Sequence, residues 1–89
     1  MRSFKQLEKI AKGFSNHRRI QILDLLQKYP ELSVADIAEA LGVNFKTISE
    51  HIRRLAEAGL VLKRYEAQTV RHKLTPRGIG ILKFLRILE

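Results

Sequence analysis

Apolar residues fall along the chain in five runs at helical spacing and two at strand spacing. In the first run they are Phe4, Leu7, Ile10, Ala11 and Phe14, which predicts a helix from Phe4 to about Lys12 with one apolar stripe. Gly13 is expected to end it, and Ser15 or Asn16 to cap the next helix. That helix, His17 to Lys28, carries Ile20, Ile22, Leu23, Leu25 and Leu26, an apolar surface broad enough for the central position in a fold. Pro30 stops it. Ser33 with Asp36 three residues on then forms a start signal, and Val34, Ile37, Ala38 and Leu41 occupy i, i+3, i+4 and i+7.

Gly42 stands where a left-handed turn residue belongs, and Asn44 can cap a further helix whose inner stripe is Ile48, Ile52 and Leu55. Gly59 closes that helix. Two extended runs follow, Leu60 to Tyr65 and Val70 to Leu74, joined by Glu66-Ala67-Gln68-Thr69 as a β-hairpin. Thr75-Pro76 is a cap followed by a first-turn proline, which starts a last helix running to about Leu88. The expected fold is mostly α with a small β-hairpin wing: helix, helix, helix–turn–helix, hairpin, helix. That order describes a winged helix-turn-helix.

At 89 residues the chain is expected to be a single domain over 1–89. So small a domain buries roughly two-thirds of its unfolded surface, so a partner subunit would add to its stability. The formal net charge is +8, which favours polyanionic partners. The charge is unevenly placed. Residues 1–28 carry seven Lys or Arg against two acids, residues 29–41 three acids and no base, and residues 60–77 five bases against one acid. The third helix should therefore face away from a polyanion and the hairpin should face it.

No apolar run reaches the ~18 residues needed to span a bilayer. No apolar leader with a small-residue cleavage site opens the chain, so a cytoplasmic protein without membrane association is expected. Zero cysteines exclude disulfides, thiolate nucleophiles and Cys-based zinc sites. No GxSxG, P-loop, HExxH or paired-carboxylate arrangement is present, so no enzyme is expected. His17, His51 and His72 lie on three different elements without metal-ligand spacing, and neither metal nor cofactor is expected.

The stretches "FSNHRRIQILDLL", "LSVADIAEALGVNFKTISEHIRRLAEAGLV" and "LTPRG" resemble the ArsR-type winged-helix repressors of bacteria and archaea over nearly the whole chain. Ser49, His51, Leu55, Ala58, Gly59, Leu60 and Val61 fall in that family's S-x-H…L…A-G-L-V pattern, and Arg19, Ile22 and Leu23 in its R…I-L pattern. The helix–turn–helix portion is shared with MarR-type and other winged-helix proteins. The resemblance implies a homodimer that represses transcription by gripping a palindromic operator in double-stranded DNA, with an effector releasing it. Metal-sensing members carry thiolates at positions matching Ser33 and Ala35, or Asp and His ligands on the last helix. Here neither set is present, so the effector stays open.

The candidate DNA contacts on the fourth helix are Asn44, Phe45, Lys46, Thr47, Ser49, Glu50, His51 and Arg54, with Arg53 on the same outer face. The N-terminal part of such a helix can enter the major groove and read base edges. Asn44 divides between a cap and a base contact, and Phe45 between a thymine methyl and packing against the turn. Glu50 can accept from a cytosine amino group or penalise wrong sites. On the hairpin, Lys63, Arg64, Arg71 and Lys73, with His72, form a basic wing suited to the phosphate backbone or a narrow minor groove. Arg18 and Arg19 divide between phosphate contact and an ion pair with Asp24 or Glu31.

The terminal helices are expected to hold a homodimer. Ile81, Phe84, Leu85 and Leu88 attach the last helix to its own domain, and Ile79, Leu82 and Ile87 meet the partner together with Phe4, Leu7 and Ile10. Two other readings compete. One is a winged helix that binds protein or RNA within the transcription or translation machinery. The other is a membrane-surface helix at "IGILKFLRIL". The missing ligand sets yield a first expectation. Titration with zinc, cadmium or arsenite should leave DNA affinity within a few-fold, measured by fluorescence anisotropy. Release of operator DNA by a stoichiometric, tight zinc site would overturn it.

Overall fold

The computed structural model describes residues 2–89. The elements follow in the order α1 (Phe4–Phe14), α2 (His17–Lys28), α3 (Val34–Leu41), α4 (Phe45–Glu57), β1 (Val61–Glu66), β2 (Thr69–Leu74) and α5 (Pro76–Ile87). Local chemistry sets most boundaries. Ser3 and Gln6 form a capping box on α1, and Ser33 and Asp36 one on α3. The Asn16 side chain accepts from the N–H groups of Arg18 and Arg19, and Thr75 caps α5 ahead of Pro76. Gly42 ends α3 at φ 64°, in the left-handed region. Gly13 does not end α1, as its composition suggests, but lies inside it. A Cβ built there would stand 2.3 Å from the Ala58 Cβ, so the glycine lets α1 approach the end of α4.

The core is one cluster. Ile22, Leu23 and Leu26 of α2 meet Ile37 of α3, Ile48, Ile52 and Leu55 of α4, and Leu60, Val61 and Leu74 of the hairpin. α2 is thus the central helix that its broad apolar surface predicts. The Leu60 carbonyl accepts from the Thr75 N–H at 3.1 Å, and Gly78 of α5 lies against the same carbonyl.

The hairpin is antiparallel, with Val61 opposite Leu74 and Glu66 opposite Thr69, and Ala67 at φ 53° in its two-residue turn. It also has a neighbour that the sequence does not announce. Leu32 pairs with His72 in an isolated antiparallel bridge, through His72 N–H to the Leu32 carbonyl at 2.9 Å and Glu31 N–H to the His72 carbonyl at 2.9 Å. The segment before α3 therefore forms a short third edge on β2. His72 is not an outward wing residue. It is 1% exposed, with Nδ1 2.8 Å from the Leu32 carbonyl. A carbonyl only accepts, so Nδ1 carries the proton there.

α5 is rotated from the expected orientation. Leu82 faces the domain's own core at 3% exposure, with Ile81 packed beside it, while Phe84, Ile87 and Leu88 are 51%, 79% and 67% exposed. Leu82 is thus not free to meet a partner, and Phe84 and Leu88 do not attach the helix. An apolar residue on nearly every side of α5 leaves its rotation undefined by periodicity. The contact of Gly78 with Leu60 and the Thr75 cap define it instead.

Two measurements check this packing. Gly78→Ala would place a methyl 2.2 Å from the Leu60 carbonyl oxygen, whereas the same change at Gly80 meets nothing within 4 Å. Gly78→Ala should destabilise by about 1–3 kcal/mol, a fall in Tm of roughly 5–20 °C. Gly80→Ala should stabilise by about 0.5–1 kcal/mol through helix propensity. Equal effects would place the Gly78 contact in error.

The second concerns acid. Burial holds the His72 pKa below its ordinary value of 6.5, against the raising effect of the Leu32 carbonyl, and Lys63 lowers it further. Below the unfolded pKa the unfolded chain then binds more protons than the folded one, so stability falls as pH drops from about 6.5. His51, also lowered by burial first, contributes with the same sign. His72→Gln should flatten the decline of the urea midpoint between about pH 6.5 and 5, above the range where carboxylates protonate. A decline of unchanged slope would remove His72 as its cause.

Candidate nucleic-acid interface

α4 turns its two faces to different surroundings because only one of them is apolar. Ile48, Ile52 and Leu55 are 0–1% exposed. Phe45, Lys46, Thr47, Ser49, Glu50, Arg53 and Arg54 lie on the exposed side. The first turn is held from below by Asn44, whose Oδ1 accepts from the N–H groups of Lys46 at 2.8 Å and Thr47 at 3.3 Å. That oxygen serves as a cap, which leaves the amide nitrogen as the group directed elsewhere. Phe45 is 58% exposed and so stands mostly clear of the turn.

The middle of the outer face is an ion-pair chain. Glu50 pairs with Arg53 and, at 3.4 Å, with Arg54, and Arg53 also pairs with Glu57. The hydrogen bond from Arg53 holds the Glu50 carboxyl below the ordinary range and raises the Arg53 guanidinium. Arg53 and Arg54 are therefore partly neutralised in place, and the free cation of this helix's outer face is Lys46.

His51 sits differently from the other fourth-helix candidates. It is half-buried and its Nδ1 accepts from Arg19 Nε at 3.2 Å. Because a guanidinium only donates, the neutral ring carries its proton on Nε2. Arg19 also donates to the carbonyls of Lys12 at 3.0 Å and Gly13 at 3.4 Å. Neither phosphate nor Asp24 nor Glu31 is its partner. Arg19 instead ties α1, α2 and α4 together, and His51 is one end of that tie. Arg18 donates to Gln21, and Asp24 pairs with Arg86 at 2.7 Å and Lys28 at 3.2 Å.

On the hairpin, Lys63, Arg64, Arg71 and Lys73 are brought together by the register, which sets Arg64 directly opposite Arg71 and Lys63 opposite His72. The four cations are not equivalent. Arg64 bonds Glu31 at 3.0 Å and Glu66 at 2.8 Å, and Arg71 approaches Glu66 at 3.6 Å and donates to the Glu31 carbonyl at 3.1 Å. Lys46, Lys63 and Lys73 form no ion pair among the described residues. Sequence reasoning missed Glu31 and Glu66. Glu66 lies two residues from Arg64 on the same strand face, a signal that was available. Glu31 lies 33 residues away and had no local signal.

Of the terminal residues, Phe4 and Leu7 are 82% and 44% exposed, Ile10 is half-buried, and Ile79 is 38% exposed. Together with Phe84, Ile87 and Leu88 they leave apolar surface open at both terminal helices. No helix is long and apolar enough to cross a membrane, and no three His, Asp or Glu side chains are grouped to hold a metal ion, among the described residues.

Comparison with known proteins agrees with this architecture. The chain is 39% identical over 66 residues to the transcriptional activator HlyU of Vibrio cholerae, covering 74% of this chain and 60% of that protein. It is 34% identical over 67 residues to the arsenical resistance operon repressor of Escherichia coli, covering 75% and 57%. The chain thus spans less than two thirds of the length of these curated relatives. The homodimeric winged helix-turn-helix DNA-binding domain Mb0332 of Mycobacterium bovis superposes with a TM-score of 0.85 at 30% identity, over 94% of this chain and 78% of that one. The family model described as the bacterial regulatory proteins of the arsR family matches residues 16–63. On that match, and on the fold it accompanies, the chain belongs to the arsR family of bacterial regulatory proteins.

Proposed function

We propose that this chain is the DNA-reading domain of a dimeric, non-enzymatic transcription repressor that acts without a metal-sensing site, in the cytoplasm. The observation that carries the reading is the outer face of α4. An exposed, well-capped helix N-terminus presents Lys46, Thr47 and Ser49 beside a hairpin whose Lys63 and Lys73 lack ion-pair partners. Backbone N–H groups at such an N-terminus suit phosphate, and the side chains beyond them suit base edges. The two copies would set α4 of each protomer into successive major grooves of a palindromic operator, about 34 Å apart. The exposed apolar residues of α1 and α5 support the pairing, and the homodimeric state of the Mycobacterium bovis domain adds to it. Occupying a promoter then blocks transcription. The relatives include both an activator and a repressor, so the direction rests on that blocking geometry.

Binding to duplex DNA should fall steeply with salt. Lys63→Gln and Lys73→Gln should each weaken all sequences alike and flatten the salt slope by about one. Lys46→Ala should cost about 1–3 kcal/mol more at a selected high-affinity site than on random duplex. Anisotropy titrations at several salt concentrations measure both. Binding indifferent to salt, or a preference for RNA or single strands, would favour the interaction-module reading.

For the pairing, Phe4→Glu and Ile87→Glu should give folded monomers at micromolar concentration in light scattering and abolish tight binding to a palindrome. Leu82→Glu should instead unfold the domain, since it places a carboxylate in the core. A wild-type monomer that binds a palindrome tightly would refute the dimer.

A further inference from the structure

Arg64 and Arg71 stand directly opposite each other on the hairpin. Like charges in that position repel. Glu66, at the end of β1, and Glu31, in the segment before α3, lie against the pair. Glu66 contacts both guanidinium groups, at 2.8 Å and 3.6 Å. Glu31 bonds Arg64 through its carboxylate and Arg71 through its carbonyl. Two acids and two bases sum to zero charge. We propose that Glu31 and Glu66 are internal substitutes for DNA phosphate, which occupy the wing arginines in the free protein and so set how tightly it holds DNA of any sequence.

The backbone at Glu31 supports this. Its φ is 71°, in the left-handed region that favours glycine. Its N–H bonds the His72 carbonyl, which fixes the residue against β2. A glycine would take this conformation without strain but would carry no carboxylate. A strained residue held by its surroundings points to a role for its side chain. The charge states agree: hydrogen bonds to Glu66 and Glu31 raise the Arg64 pKa, and the Arg64 hydrogen bond lowers that of Glu66.

A phosphate that approaches this wing meets guanidinium groups already in carboxylate bonds. To take them it must displace the acids, and the acids then remain beside the DNA and repel it. The wing's steady attraction comes from Lys63 and Lys73. The four side chains are 33–52% exposed. Each pair is therefore weak and the expected effect is a few-fold change. Its weight falls on sequence-independent binding, which is almost wholly electrostatic.

The inference rests on the wing reading given above, and the test separates the two. Full-length protein with Glu66→Gln, and separately Glu31→Gln, is titrated with random 30-base-pair duplex from about 50 to 200 mM salt. Each variant should bind about 3–10-fold more tightly than wild type and show a salt slope steeper by roughly one. Arg64→Gln should cost more in the Glu66→Gln background than in the wild type, because only there is the guanidinium released. Unchanged or weaker binding by both Glu variants overturns the proposal and assigns the acids to relief of Arg–Arg repulsion. The Lys63→Gln/Lys73→Gln double variant decides the wing itself. If it binds like wild type, the hairpin does not touch DNA and both readings fall. If it weakens binding while the Glu variants do nothing, only this proposal falls.

Discussion

What α4 can present outward depends on what its inner edge must bury. Ile48, Ile52 and Leu55 recur at four- and three-residue intervals and are fully enclosed by α2, α3 and the first residues of the hairpin. Each such side chain stabilises by about 1.5–3 kcal/mol when buried. A domain of this size has one core, so no competing burial could rotate the helix. Rotating α4 by a third of a turn would put Glu50 or Arg53 into that core at a cost far beyond the chain's marginal stability. The outer face thus needs no interactions of its own to hold it in place, and its residues are free to serve recognition.

The polar interactions are arranged around this result. Arg19 satisfies carbonyls at the end of α1 and meets His51 on the side of α4. It secures the helix at its flank, where apolar packing thins. Acidic side chains are kept apart from one another and each is given a local task. Asp36 closes a capping box, Glu50 and Glu57 bracket Arg53, and Glu31 and Glu66 bracket Arg64. The net charge of +8 therefore overstates what a polyanion encounters. The cations left without ion pairs on these two surfaces are lysines, whose charge is compact and flexible rather than fixed in a planar fork.

The helices were legible in the sequence because their signals are local. Periodicity marked α1 to α4, and Ser33 with Asp36, Asn44 and the Thr75-Pro76 pair marked starts that the structure keeps. The hairpin was legible from its extended runs, to within a residue at each strand start. Three features were not. The Leu32–His72 bridge is too short to show alternation, so the third edge of the sheet left no pattern, and His72 read as one more basic wing residue. The rotation of α5 was hidden because apolar residues surround the helix, and the Gly78 contact that fixes it involves the absence of a side chain. The partners of Arg64 and Arg19 were hidden because they are chosen by proximity in space, across 33 and 32 residues. The candidate site was thus readable as a list of cations and unreadable as a set of charges in use.

Gly13 and Ala58 meet with no side chain between α1 and the end of α4. Helices separated by long side chains can slide, because rotamers absorb the motion. Helices in near-backbone contact cannot, so the two move as one joint. α1 carries Phe4 and Leu7 at its outer end, while α4 carries the reading face. A tilt imposed on the exposed end of α1 is therefore delivered to α4 as a change of angle, amplified by the length of the helix. Position 13 acts as a fulcrum, and a bulkier residue there would alter the pitch of the reading helix without touching either of the surfaces it connects.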